Sequence, residues 1–258
     1  MSVQLFRTVQ KNARADGKEA YFRLHHRRYA AILDALDAPA GARVLEVGVT
    51  PGQCTQLLVG AGYRVWGVDL DPTTRRTLWQ RLGVPVCQVH LERDPLPFAD
   101  GSFDYVVFSE VIEHLVYSPL PPLREMQRVL VPGGKLILTT PNDLYLKNRL
   151  RAMGRLLRWQ SLDTEEEFRK QMMLEGDARY TTHSRIYTMR ELCWLVEKAG
   201  LHVVRQHYVA AWEGVGLEIG QVFRRPAQTL AKAALTALVT AIPPVRSMLL
   251  VVGERHLV

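Results

Sequence analysis

Cysteine is scarce in this 258-residue chain: Cys54, Cys87 and Cys193 stand far apart and share no motif. That spacing argues against a disulfide framework and a zinc site and suits a reducing cytosol. Long apolar runs are missing too. The opening MSVQLFRTVQKN carries none of the signal-peptide kind, so a cytoplasmic location is expected. The most apolar stretch, PAQTLAKAALTALVTAIPP, is interrupted by Lys232 and bounded by Pro226 and Pro243. About 16 residues between prolines fall short of the ~20 that a spanning helix needs. A buried or lid helix is expected there, in preference to a peripheral membrane contact. Acidic residues are in deficit, 26 against 33 Lys and Arg, which leaves a formal charge of +7. Such an excess favours anionic partners: nucleic acid, phosphorylated metabolites or an anionic lipid surface. Aromatic residues, only 8% of the chain, are not interleaved with the basic runs as base stacking requires, so nucleic acid is not the favoured partner.

What is present is an alternation. Short β-rich runs at 43–47, 64–68, 85–90, 103–109, 134–140, 201–209 and 247–252 are separated by helix-length segments at 53–61, 72–82, 119–130 and 188–199. Residues 18–37 read as a helix before the first strand, part of an N-terminal helical cap over residues 1–40. Strands separated by helices imply parallel pairing with right-handed crossovers. The expected fold is α/β, a doubly wound, mostly parallel sheet of seven strands in a single domain spanning residues 1–258. Two helical insertions, 142–187 after the fifth strand and 212–245 after the sixth, exceed ordinary connections and are expected to form a substrate lid. In the first, Leu146, Leu150, Met153 and Leu157 recur at helical spacing among Lys147, Arg149, Arg151, Arg155 and Arg158, a basic amphipathic helix. Thr188 and Glu191 form a capping box for the helix that follows Tyr187.

The strongest local signal is RVLEVGVTPGQCTQLL at 43–58. An apolar strand runs into Gly48, a tight turn holds Pro51 and Gly52, and a helix begins. Glycine permits positive φ and close approach of a ligand to the backbone, and helix N-terminal amides then face that ligand. The second strand ends at Asp69 in RVWGVDLDP, where a carboxylate can accept both hydroxyls of a ribose. These features name a nucleoside ligand; nicotinamide enzymes use the same geometry.

The runs LPFADGSFDYVVFSEVIEHL and REMQRVLVPGGKLILTTPN, in order behind the glycine loop, resemble the class I methyltransferases that use S-adenosylmethionine (SAM), of the group labelled type 11 or type 23. The resemblance covers roughly residues 40–209. It implies a Rossmann-like sheet, SAM as cofactor and methyl transfer as activity, and it leaves a dehydrogenase the weakest reading. By similarity, Glu46, Gly48 and Gly52 hold the methionyl part and Asp69 binds the ribose. The usual third-strand aspartate beside the adenine amine falls on His90 or Glu92, Leu91 supplies a backbone contact, and Ser109 closes the fourth strand near the sulfonium. Thr50 stands where the family loop has its middle glycine, which narrows the approach to the methionyl group.

Catalytic candidates must sit at the C-terminal strand ends: Glu110, Glu113, His114, Asn142 and His183. If EVIEH is helical, Glu110, Glu113 and His114 share one face. With His183 they would make a divalent-metal quartet, for Mg²⁺ among others, similar to that of metal-dependent methyltransferases acting on catechols or on the terminal ribose of small RNAs. Alternatively, His114 or His183 serves as general base without metal. The expected activity is O-methylation of a small-molecule or glycan-like acceptor. RNA ribose 2′-O-methylation, and a non-catalytic binding protein on the SAM fold, are the alternatives.

Overall fold

The central strands are largely apolar because helices cover both faces of the sheet. The computed structural model describes residues 3–161, 168–169, 172–174, 176–213 and 226–257. Strands β1 (Arg43–Val47), β2 (Arg64–Asp69), β3 (Val86–Gln88), β4 (Phe103–Ser109), β5 (Leu130–Pro141), β6 (Leu201–Val209) and β7 (Met248–Arg255) form one seven-stranded sheet in the order 3-2-1-4-5-7-6. β7 runs antiparallel to β5 and β6; the other pairs are parallel. The doubly wound, mostly parallel sheet expected from the sequence is the one that forms.

Eight helices among the described residues surround it: α1 (Val3–Ala15), α2 (Glu19–Ala35), α3 (Gln53–Gly60), α4 (Arg76–Leu82), α5 (Leu120–Val129), α6 (Leu146–Leu156), α7 (Met189–Lys198) and α8 (Pro226–Ala241). Side chains alternate between two cores, as the period of a strand dictates. Leu45, Val106, Phe108, Leu136, Leu138 and Val251 pack with α5 and α7 on one face. Val44, Tyr105, Val107, Ile137 and Leu250 pack with α1, α2 and α3 on the other. α7 starts on the expected Thr188–Glu191 capping box.

Three boundaries differ from expectation, each for a local reason. The segment 72–82 divides into a 3-10 turn at Pro72–Arg75, capped where the Asp71 carboxylate accepts the Thr73 N–H at 3.0 Å, and then α4. The third strand stops at Gln88, because the chain turns where the His90 carbonyl accepts the amides of Arg93 and Asp94. β5 starts at Leu130, which already pairs with Phe103 of β4. Of the two long insertions, residues 162–167, 170–171, 175 and 214–225 lie outside the described residues.

Candidate functional site

β1, β2 and β4 end at one edge, and open α/β sheets bind ligands at such an edge. A cavity of about 460 Å³ opens there, inside the roughly 300–1,000 Å³ range of small-molecule pockets. Gly48 leaves β1 at φ 82° and Gly52 caps α3 at φ 89°. A Cβ on Gly48 would lie 2.4 Å from Val111 Cγ2; one on Gly52 would lie 2.4 Å from Leu78 Cδ2 and 2.9 Å from the Trp79 ring. Backbone angle and space both demand glycine. Asp69 accepts the amides of Thr50 at 2.9 Å and Asp71 at 3.1 Å. A carboxylate offers about four lone-pair sites, so capacity for two ribose hydroxyls is left. Thr50 lines the cavity without closing it.

Glu46 is buried, and its Oε2 accepts the Thr55 hydroxyl at 2.6 Å. Burial pushes its pKa up to about 8, the Thr55 bond opposing. His90 is buried against Tyr180, ring centroids 4.9 Å apart, and both line the cavity with Leu91. Glu92, the other candidate for the missing aspartate, lines the cavity as well, but one of its carboxylate oxygens accepts the Tyr117 amide. Ser109 shares a 2.8 Å hydrogen bond with Thr139 on the next strand.

The opposite wall was not foreseen. α2 brings Tyr21, Arg28 and Tyr29 to the cavity. Arg28 is 3% exposed and faces Glu110 across 3.2 Å, while the Tyr29 hydroxyl donates to Gln53 at 3.2 Å. A signal did exist in the sequence: Phe22, His25, Arg28, Ile32 and Ala35 make one buried face of α2, so an arginine and a histidine occupy apolar positions. Burial keeps the His25 imidazole neutral, its pKa lowered to about 3, whereas the Arg28 guanidinium stays charged and needs a partner inside.

EVIEH is not an α-helix. Glu110 leaves β4 at φ 56°, and Ile112–His114 form a single 3-10 turn. The face shared by residues 110, 113 and 114 is therefore lost, and Glu110 turns to Arg28. Glu113, His114 and His183 do gather: one ligand atom from each lies within 4.8 Å of the others. The expected quartet is a trio. Glu113 is fully buried; its Oε2 accepts the Thr140 hydroxyl at 2.9 Å, and its Oε1 has no hydrogen-bond partner among the described residues. Burial, and then the neighbouring Glu110, raise its pKa well above the usual carboxylate value. His114 Nδ1 lies 3.0 Å from the Thr182 carbonyl, which places the proton on Nδ1 and a lone pair on Nε2. Burial lowers the pKa of both imidazoles, so both are neutral near pH 7. The Glu113 carbonyl accepts the Ser184 amide at 2.7 Å, which is how the end of the long insertion delivers His183. Asn142 does not enter the cavity: its amide donates to the carbonyls of Pro244 and Arg246.

A glycine loop, a carboxylate at ribose height and a cavity between them, on a sheet of this order, define the class I SAM-dependent methyltransferase fold. The sequence pattern of a methyltransferase-domain family matches residues 19–206, well over half of the chain. The chain belongs to that family. It is 38% identical over 108 residues to the ubiquinone biosynthesis O-methyltransferase of Xanthomonas axonopodis, a match covering 40% of this chain and 45% of that protein. The chain thus spans under half the length of this curated relative. Phosphoethanolamine N-methyltransferase 2 of Haemonchus contortus, solved with SAM, superposes with TM-score 0.57 at 17% identity over 89% of this chain and 52% of that one. The [4+2]-cyclase SpnF superposes equally well, TM-score 0.57 at 16% identity over 90% and 81%. At such identities the likeness shows the fold alone, and the cyclase illustrates that this fold hosts more than one chemistry.

Proposed function

We propose that the chain transfers the methyl group of SAM to a hydroxyl oxygen of a small-molecule or glycan-like acceptor. One observation carries the reading: the cofactor-sized cavity and the Glu113–His114–His183 cluster meet at His114, which belongs to both. SAM, when bound, supplies a methyl activated on a sulfonium. The chain positions the acceptor in line and manages its proton.

Asp69 takes the ribose hydroxyls, while Gly48 and Gly52 admit the methionyl part. Arg28 offers its guanidinium to the methionyl carboxylate, and Glu46 is poised to ionise opposite the ammonium. His90 and Leu91 border the adenine, and Ser109 closes the wall near the sulfonium. The helical cap of residues 1–40 covers the methionyl end; the insertions 142–187 and 212–245 shape the acceptor site.

Glu113, His114 and His183 offer one carboxylate and two imidazoles, and His114 has its far nitrogen held by the Thr182 carbonyl, as metal-binding histidines usually do. That donor set suits a first-row transition ion better than Mg²⁺. Bonds of about 2.1 Å allow ligand atoms at most about 4.2 Å apart, so an ion would have to draw the trio in slightly. Its role would be to lower the acceptor hydroxyl's pKa and fix its direction. Without an ion, His114 Nε2 or His183 takes the proton.

The test is production of S-adenosylhomocysteine (SAH) from SAM with a panel of catechols and sugars, with and without chelator. Turnover that falls at least tenfold on chelation and in His183→Ala, and returns with added metal, supports the metal route. Turnover indifferent to chelation but lost in His114→Ala leaves the imidazole base. SAM binding with no acceptor methylated points to the non-catalytic reading. Methylation of RNA termini alone replaces the small acceptor by ribose.

A further inference from the structure

α6 leaves the C-terminal end of β5 and buries none of its residues. Leu146, Leu150, Met153 and Leu157 form one stripe along it, with Lys147, Arg151, Arg155 and Arg158 around the other side. Residues 146–161 contain no acidic side chain. Arg149 is engaged by Asp143; Lys147, Arg151 and Arg158 are exposed. Apart from the half-buried Leu146, the large apolar side chains are no less exposed: Leu150 and Met153 54% each, Leu156 60%, Leu157 74% and Trp159 96%. Trp159 ends the helix at φ 54°, a left-handed conformation that glycine adopts at far lower cost. Among the described residues almost nothing covers the Trp159 ring.

A second apolar segment reaches the same edge. The Asn142 amide, just before α6, donates to the carbonyls of Pro244 and Arg246, just after α8, at 2.9 and 2.7 Å. On α8 and its end, Leu230 is 71%, Leu238 48% and Ile242 43% exposed. This edge also carries the Glu113–His114–His183 cluster.

We propose that α6, with Trp159 as its anchor, docks the protein on an anionic lipid bilayer. Charge and apolarity together select this occupant. A helix with leucine and methionine on one side and cations on the other lies in the plane of an anionic membrane interface, where tryptophan is at home. Nucleic acid would satisfy the arginines but leave the leucines in water. The reading is independent of the acceptor's identity.

The test sediments the full chain with phosphatidylcholine vesicles prepared with and without phosphatidylglycerol. The acidic run at 163–167 lies outside the described residues and is kept in every variant. The wild type is expected to pellet only with anionic vesicles, and its Trp159 emission to shift to the blue. Each basic charge removed should weaken partitioning about fivefold, so Arg151→Gln with Arg158→Gln should weaken it about 25-fold. Leu157→Ser with Trp159→Ser should weaken it at high salt as well as low. SAH binding should be unchanged in all variants, which shows them folded. Wild type left in the supernatant with anionic vesicles, or variants that pellet as it does, would overturn the proposal. So would retention on RNA that ignores the Leu157 and Trp159 changes.

Discussion

Replacing Arg28 with methionine leaves the Glu110 carboxylate in the cavity wall without its counter-charge. Breaking a buried ion pair from one side costs about 3–5 kcal/mol. Here the Arg28 side chain is 4% exposed and that of Glu110 14%, so cavity water partly solvates the carboxylate and the lower end, about 3 kcal/mol, is expected. The remaining carboxyl should respond by holding its proton. Burial already raises the Glu110 pKa with Arg28 opposing; removing Arg28 raises it further. A group whose folded-state pKa exceeds its unfolded value contributes stability at low pH that is lost as pH rises through the folded value. The deficit of Arg28→Met should therefore shrink toward pH 5 and grow toward pH 8. Adding Glu110→Gln removes the stranded charge and should restore most of the loss. Urea denaturation of the four proteins in the double-mutant cycle gives the coupling energy. A loss in Arg28→Met under about 1 kcal/mol, or an equal loss in the Glu110→Gln background, would refute the ion-pair account.

Gly52→Ala should destabilise the protein by about 2–5 kcal/mol, the sum of a left-handed alanine and a crowded Cβ; thermal melts of the variant check it. Glu46 titrates at about 8 in the folded chain against an ordinary 4.5. The wild type should therefore lose stability relative to Glu46→Gln as pH rises from about 4.5 to about 8, on the order of 3 kcal/mol by neutral pH. Parallel urea titrations across that range would show it, and a flat difference would place the proton elsewhere.

The sheet was legible because strand periodicity and turn residues are local. Leu45 and Val47 point one way and Val44 the other in the sequence as in the fold, and Gly48, Gly52 and Asp69 mark a strand-end site by chemistry that neighbours cannot change. The acceptor side was legible only in its members. EVIEH reads as a helix by spacing, yet Glu110 takes a left-handed angle to reach Arg28, a residue 82 positions earlier that no local pattern connects to it. His183 reaches Glu113 and His114 because backbone bonds from Ser184 and Arg185 to the Glu113 carbonyl hold it there; that is tertiary information. The exposure of α6 was hidden for the same reason, since an amphipathic pattern does not say what covers it.

Titrating SAH into the wild type and into Asp69→Asn by calorimetry bears most directly on the whole. A single site is expected, weakened about 10- to 150-fold in the variant, since a charge-assisted hydrogen bond contributes about 1.5–3 kcal/mol. Absence of heat, or equal affinity in both proteins, would mean that the cavity beside Gly48 and Gly52 does not hold an adenosyl group.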